Sequence, residues 1–368
     1  MRRERFIRIF VMVGVVYYMV ACGSSQNGNV GYRLGDTQTL TGGFDEALQA
    51  ITEKSLKDNL YYLASEELQG RGSGAPGGDK AAAFIAQKYK EFGLQEAYPN
   101  SYYQYFDVKG DKKRTQNVIG VLPGNDPVLK DQVIVIGAHY DHLGMRSDAE
   151  DSDDNGNNDD GNDSEKATIY YGADDNGSGT VAVIESAKAF SMLKGQNKRT
   201  IVFIAFSGEE MGLIGSSYYV KNPLFPINKT VYMLNQDMIG YLRDGNLDFL
   251  GGGSSQDAAK AMRDICKKYP DITPDITQSA GGGSDHVPFM NRKVPGVFVH
   301  TGSTSVYHTP SDTREKVNYQ GLTEVTKIAF ELGWVISQKS AAPTETYEAI
   351  TITKRDLEYD HEMMPFIK

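Results

Sequence analysis

The sequence predicts an α/β protein in which helices cover both faces of one sheet. Short, wholly apolar runs of β-branched and other apolar residues are typical of strands buried on both faces. Stretches with helical periodicity lie before and between these runs, and ionisable residues follow several of the runs closely. Because open α/β sheets carry their sites at the carboxyl ends of the strands, the same pattern predicts where the functional site lies.

Composition limits the possible classes of function. The chain has 368 residues, of which 40% are apolar and 23% charged, enough for a sizeable core in one large or two modest domains. Its net charge of -10 is local, because nine acids and no Lys or Arg lie in residues 148–165 and the remainder carries only -1. Because the charges in the rest of the chain nearly cancel, a nucleic-acid-binding function is not expected. Two cysteines exclude a disulfide scaffold or a cysteine-rich zinc cluster.

The N-terminus has the features of an export signal. Four arginines within residues 1–8 precede an apolar run of 13 residues, 9–21, which is short for a membrane span and typical of a signal-peptide core. The run ends in Met19, Val20 and Ala21 directly before Cys22, which resembles a bacterial lipoprotein cleavage site. We therefore expect residues 1–22 to be a lipoprotein signal and Cys22 to anchor the protein in the bacterial cell envelope, facing the periplasm or the cell surface. The alternative is an ordinary cleaved signal with an incidental cysteine.

The remaining chain is expected to contain a tether, one domain and a tail. Residues 23–43 are polar and glycine-rich, which predicts a flexible tether. Residues 44–340 are expected to form a single domain with an acidic insert at 147–166, followed by a polar tail at 341–368. Cys266 is expected to be a buried cysteine in a helix.

Helices are expected before the first strand and within the site region. Ile51–Leu68 and Asp79–Phe92 show helical periodicity with capping residues. Between them lies a G-x-G-x-x-G pattern, Gly72–Gly77, but no strand precedes it and it contains a proline. We interpret it as a loop rather than a dinucleotide site. Another helix is expected from near Asp175, because apolar residues recur at helical spacing from Val181 to Phe190.

Four strands are expected near residues that can bind metal or transfer a proton. They are Val133–Ile136 before His139 and Asp141, Ile201–Phe206 before Glu209 and Glu210, Val231–Leu234 before Asp237, and the run VPGVFVHTG before His308. Asp174 lies on the loop that leads into the helix expected near Asp175. Because the ends of parallel strands share one rim of the sheet, we expect these side chains to converge.

These residue types point to a pair of transition metals. Clustered carboxylates raise one another's pKa values unless a cation lies between them. Two imidazoles among them favour zinc over calcium or magnesium. Five ligands exceed what one catalytic zinc uses, and they suit two metals that share a bridging carboxylate and an activated water. The simpler alternative, a set of solvated loop acids and helix caps, explains any one carboxylate but not their shared placement.

Six motifs carry a resemblance to a known family. They are, in order, GAHYDH, ADDNGSGT, FSGEEMGLIGS, NQDMIG, SDHVPF and YHTPSDT. At this spacing they resemble peptidase family twenty-eight, the co-catalytic zinc aminopeptidases, and the likeness extends from about Leu56 to Val335. The resemblance implies a three-layer α/β/α fold with a mixed, mostly parallel eight-stranded sheet. In some members of the family a protease-associated domain is inserted at the position of residues 107–116. These ten residues are too few for such a domain, so we expect the compact form of the family, which lacks it.

The resemblance implies a role for each motif residue and two Zn²⁺ per chain. By motif, His139 and Asp237 resemble ligands of one zinc, Glu210 and His308 ligands of the other, Asp174 the bridging ligand, and Glu209 the general base. Asp141 resembles the acid that fixes the tautomer of the preceding histidine ligand.

Expected roles can also be given for three further residues in or near the motifs. Tyr307, directly before the last histidine, is in the position of the oxyanion donor of some members. The tyrosine that other members carry before SDH is replaced here by Gly281–Gly283. His142 and His286 flank the motifs, and we expect them to support the site or the fold rather than to bind metal.

These roles imply an exported aminopeptidase that hydrolyses N-terminal residues of peptides, with a dizinc-activated water and Glu209 as general base. One alternative is a glutaminyl-peptide cyclotransferase, which resembles the family but works with one zinc. Another is a non-catalytic binding module, which predicts missing ligands, whereas this sequence retains every one. The expected partners are peptides with a free N-terminus and, through lipid on Cys22, a membrane.

The resemblance does not explain the acidic insert. Asp151, Asp153 and Asn155 match the first half of a calcium-binding loop, but the twelfth position is Asn162 instead of glutamate. The alternative is a solvated insertion that its like charges keep extended. In either form nine acids near the site would favour substrates with a cationic N-terminus. Calorimetric titration with calcium distinguishes the two.

Overall fold

A computed structural model describes residues 43–108, 113–146 and 167–343, together with the backbone of 32–34 and 38–40. The predicted lipidation site Cys22, the acidic insert with its half calcium pattern, and residues 344–368 of the expected tail lie outside the described residues. Within the described part of the chain, no helix has the length and apolar character needed to cross a membrane.

Thirteen strands and eight α-helices make up the described chain. The strands are β1 (Tyr32–Leu34), β2 (Gln38–Leu40), β3 (Gln95–Glu96), β4 (Tyr103–Asp107), β5 (Arg114–Leu122), β6 (Val133–His139), β7 (Gly144–Arg146), β8 (Thr168–Tyr170), β9 (Thr200–Phe206), β10 (Thr230–Gln236), β11 (Asn246–Leu250), β12 (Thr273–Ile276) and β13 (Gly296–His300). The helices are α1 (Phe44–Gln49), α2 (Glu53–Leu63), α3 (Pro76–Glu91), α4 (Gly179–Met192), α5 (Ile214–Lys221), α6 (Gln256–Cys266), α7 (His286–Met290) and α8 (Tyr319–Gln338).

Nine of these strands form one mixed sheet with a parallel centre. The order is β12-β11-β13-β10-β6-β9-β5-β3, and β4 also pairs with β5. The four central strands, β13, β10, β6 and β9, run parallel. At the flanks β11 is antiparallel to β13 and parallel to β12, and β5 is antiparallel to β9, β3 and β4.

The predicted α/β/α class with a mixed sheet is confirmed, and the expected strand number is corrected from eight to nine among the described residues. The nine-residue strand β5 is long enough for two short strands to share one edge. β3 pairs opposite Gly120 and Val121, and β4 opposite residues 114–118. Parallel pairing is confined to the centre and to β11–β12, so the sheet is less parallel than expected.

Two hydrophobic cores lie on opposite faces of the sheet. In β6, Ile134 and Ile136 pack into the larger core, whereas Val133 and Val135 pack into the smaller one. Helices α2, α3, α4, α6 and α8 contribute to the larger core, and α5 and α7 contribute to the smaller. Successive strand side chains point to opposite faces, so a strand between two cores has to be apolar throughout. This requirement explains the apolar runs from which the strands were predicted.

Two predicted helices are shorter than expected. The first ends at Leu63, and a 3-10 turn over Glu66–Arg71 with left-handed backbone at Gln69 and Gly70 follows it. The helix expected near Asp175 begins instead at Gly179, because residues 173–178 form an irregular helical turn.

Cys266 is the buried last residue of α6, as expected. β1 and β2 pair antiparallel within residues 23–43, the segment predicted to be a flexible tether.

Arg71 joins the N-terminal helices to the loops that follow β6 and β8. Its side chain is fully buried and donates to the backbone carbonyls of Leu63, Tyr140, Tyr171 and Gly172 over 2.6–2.8 Å. Burial lowers the pKa of Arg71 to about 10, and nearby carboxylates oppose that effect, so the side chain stays charged at neutral pH. This one side chain therefore fixes two loops that lead into the rim of the sheet.

Candidate metal centre

Most of the predicted site residues meet at the carboxyl ends of the central strands. His139 is the last residue of β6, Asp237 directly follows β10, and Glu209 and Glu210 follow β9 on the next loop. His308 enters from the loop between β13 and α8. The side chain of His308 is 21% exposed, and the other four are buried. The convergence expected from the strand ends is therefore present.

Asp175 rather than Asp174 lies between the two histidines. Asp175 Oδ1 is 3.4 Å from His139 Nε2, and Asp175 Oδ2 is 3.0 Å from His308 Nε2. Asp174 Oδ1 instead accepts a hydrogen bond from the backbone N–H of Gly240 at 2.7 Å. The expected central position of Asp174 is thus corrected to its neighbour. In the irregular turn the two side chains diverge, and the Asp174 carboxylate is hydrogen-bonded to the loop that follows β10.

The first donor set contains His139, Asp237 and Asp175, and Glu209 also lies in the group around His139. His139 Nε2 is 3.3 Å from Asp237 Oδ1 and 3.4 Å from Asp175 Oδ1. The Ser284 hydroxyl donates to Asp237 Oδ2 at 2.7 Å. That bond orients the carboxylate and leaves Oδ1 buried with no hydrogen-bond partner among the described residues.

The second donor set contains His308, Glu210 and Asp175. His308 Nε2 is 3.0 Å from both Asp175 Oδ2 and Glu210 Oε2. His308 Nε2 and Asp175 Oδ2 are buried and form no hydrogen bond to any described residue. His142 also lies in this group, with its Nδ1 2.6 Å from Glu210 Oε1.

Both donor sets fit a metal ion. Two donors bound tetrahedrally to one zinc at about 2.0–2.2 Å are about 3.3 Å apart, and the pairs within each set are 3.0–3.4 Å apart. Buried polar atoms without partners are costly, and a metal would satisfy Asp237 Oδ1, Asp175 Oδ2 and His308 Nε2 together. Imidazole and carboxylate donors suit zinc.

The adjacent glutamates differ in their electrostatic surroundings. Burial raises the pKa of Glu209 well above its usual value, and the neighbouring carboxylates of Glu210 and Asp237 raise it further. Burial acts in the same direction on Glu210, but His308 and His142 outweigh it and hold its pKa well below the usual range. Glu210 therefore stays a carboxylate, whereas Glu209 is suited to accept a proton.

Asp141 supports His139 through its main chain. The backbone oxygen of Asp141 is 3.1 Å from His139 Nδ1, whereas its carboxylate Oδ1 is 3.7 Å away. The carboxylate accepts hydrogen bonds from the Ser73 hydroxyl at 2.7 Å and from the Glu209 N–H at 3.3 Å. The expected carboxylate–imidazole bond is thus corrected to a carbonyl–imidazole contact. The side chain ties the loop of Glu209 to the segment before α3.

Asp312 also supports the site, although it was not predicted to do so from the sequence. The Asp312 carboxylate accepts hydrogen bonds from the N–H groups of Asp174 and Asp175 at 3.0 Å, which holds the irregular turn. In the sequence, its position within the YHTPSDT motif indicated that it could belong to the site.

His286 was expected to have the same kind of role as His142, but the two histidines have different surroundings. His286 Nε2 lies 3.1 Å from the carbonyl of Ala280, and burial lowers the pKa of His286 to about 4. It belongs to neither donor group.

Comparison with known proteins gives a family match. A family model described as Peptidase family M28 matches residues 117–333. Leucine aminopeptidase 1 from Trichophyton rubrum is 28% identical over 228 residues, which cover 58% of this chain and 55% of that protein. Probable leucine aminopeptidase 1 from Trichophyton verrucosum is 27% identical with the same coverage. The chain thus spans about half the length of these curated relatives.

Solved structures show the same fold. BSAP, a zinc aminopeptidase from Bacillus subtilis, has a TM-score of 0.63 at 17% identity and covers 82% of this chain and 99% of its own. LapA aminopeptidase from Legionella pneumophila has a TM-score of 0.60 at 21% identity, with coverages of 80% and 75%. Glutaminyl cyclase from Bacteroides thetaiotaomicron has a TM-score of 0.58 at 18% identity, with coverages of 77% and 98%. At these identities the likeness shows the fold alone.

Proposed function

Because this chain belongs to peptidase family M28, we propose that it is an exported zinc aminopeptidase that removes N-terminal residues from peptides. The observation that carries this proposal is that the two oxygens of Asp175 face two separate histidines. His139 and Asp237 would hold one zinc, His308 and Glu210 a second, and Asp175 would bridge them. When bound, such a pair supplies Lewis acidity and activates a water.

Glu209 is the proposed general base. It is buried beside both donor sets, and its Oε2 lies 3.9 Å from His139 Nε2, farther than the donor pairs within either set. With its pKa raised by burial and neighbouring carboxylates, it can take a proton from the attacking water and return it to the leaving amine.

The substrates are proposed to be peptides with a free N-terminus. Leucine aminopeptidase is the name of the curated relatives, which makes leucyl-anilide the first substrate to assay. A glutaminyl cyclase on this fold would instead show about one zinc per chain, cyclise N-terminal glutamine and leave the anilide intact.

Substituting the two adjacent glutamates should separate catalysis from metal binding. Glu209→Gln keeps the shape of the side chain but cannot accept the proton, so we expect kcat for leucyl-anilide to fall about 10²- to 10⁴-fold with zinc content unchanged. Glu210→Gln should instead lower zinc content, because it weakens a charged donor. Metal analysis and steady-state kinetics on both variants check this, and the reverse pattern would mean that the two roles are exchanged.

Tyr307 is the proposed oxyanion donor. Its ring stacks on His308 with centroids 3.8 Å apart, and burial raises the pKa of its hydroxyl, which therefore remains a donor. Tyr307→Phe should lower kcat about 10²- to 10³-fold and leave KM and zinc content close to wild type. An unchanged kcat would remove Tyr307 from the reaction and leave it a packing residue.

The proposed lipid anchor has a direct cellular test. Residues 1–22 have the form of a lipoprotein signal, so Cys22→Ser should move the protein from the membrane fraction to the soluble fraction. Immunoblotting of separated fractions measures the distribution, with Cys266→Ser as the matched control that should stay membrane-bound. Full retention of the Cys22→Ser protein at the membrane would contradict lipid anchoring.

A further inference from the structure

We propose that His142 is a positioning residue for Glu210. A hydrogen bond from His142 Nδ1 to Glu210 Oε1 turns the other carboxylate oxygen toward His308 and so sets the affinity of one of the two zinc sites. This inference rests on the proposed function, because it assigns to one residue the tuning of one half of the proposed metal pair.

The distances distinguish a hydrogen-bond donor from a further metal ligand. His142 Nδ1 is 2.6 Å from Glu210 Oε1 but 3.6 Å from Asp175 Oδ2. A ligand of the same ion would lie at a similar distance from both carboxylates, as His308 does at 3.0 Å from each. A separation of 2.6 Å is short, as expected for a hydrogen bond to an ionised carboxylate, and it is less than the spacing of about 3.3 Å for two donors on one zinc.

Backbone packing fixes the ring of His142 in this position. A Cβ built on Gly172 would lie 2.4 Å from the ring, so only glycine allows this approach, and Gly172 has a φ of +55°. Arg71 donates to the carbonyl of Gly172 at 2.6 Å, and the N–H of His142 donates to the carbonyl of Arg71 at 3.4 Å. The His142 side chain is fully buried. The donor is therefore held in place independently of Glu210.

The pair reverses the common arrangement in which a histidine ligand donates to a carboxylate outside the metal shell. Here the Glu210 carboxylate is the proposed ligand, and the His142 imidazole donates a hydrogen bond to it without binding the metal. With Oε1 satisfied by His142, only Oε2 of Glu210 faces His308, so the carboxylate binds through one oxygen. Without the donor, Oε1 would be a buried, unpaired oxygen and the carboxylate could rotate.

Zinc binding by His142 variants tests this assignment. In His142→Leu the donor is lost, and we expect one of the two zinc sites to weaken about 10- to 100-fold while the other keeps its affinity. In His142→Asn the Nδ2 amide can take the place of imidazole Nδ1, so part of the loss should be recovered. In His142→Gln the amide lies one atom farther out, so we expect no recovery. Calorimetric titration of the chelator-treated full chain with zinc alone measures both sites.

A matched control uses His286, a buried histidine that belongs to neither donor group. His286→Gln keeps an Nε2 donor for the carbonyl of Ala280, so both zinc affinities should equal those of wild type. Melting of the zinc-free proteins checks that every variant is folded.

The outcomes separate this inference from the proposed function. Two wild-type affinities in folded His142→Leu would overturn the inference alone, as would equal weakening of both sites. Identical behaviour of His142→Asn and His142→Gln would also overturn it, because a packing role does not depend on the position of the donor. Fewer than two zinc ions bound by wild type would overturn the proposed function and this inference with it.

Discussion

Buried negative charge at the rim of the sheet is the constraint on which this site depends. The carboxylates of Asp141, Asp175, Glu209, Glu210 and Asp237 are all buried there. Arg71 is a buried cation close to them, but its hydrogen bonds to described residues all go to backbone carbonyls. An uncompensated buried carboxylate costs several kcal/mol or takes up a proton. A metal ion in each donor set would supply the missing positive charge and satisfy the unpaired atoms.

The fold brings these carboxylates together at one rim of the sheet. Central parallel strands place their carboxyl ends on one rim, while the apolar strand interiors separate two cores below it. Arg71 and Asp312 then fix the connecting loops through backbone contacts. The glutaminyl cyclase of Bacteroides thetaiotaomicron shares the fold, so the fold alone does not select the reaction. The proposal of hydrolysis therefore depends on the two donor sets and their shared aspartate.

Features that depend on strand periodicity were predictable from the sequence, and those that depend on loop conformation were not. β6, β9 and β10 lie where their apolar runs indicated, since a strand between two cores tolerates few polar residues. Asp174 and Asp175 could not be distinguished, because the irregular turn decides which side chain faces the histidines. His142 and His286 look alike in the sequence, but only the loop packing against Gly172 brings His142 to Glu210.

The most direct test of the shared aspartate is the anomalous scattering of crystals grown with zinc, recorded on both sides of the zinc absorption edge. We expect two peaks in the anomalous difference map. One should contact His139 and Asp237, the other His308 and Glu210, and both should contact Asp175. A single peak, or a pair of peaks bridged by Asp174 with Asp175 turned away, would contradict it.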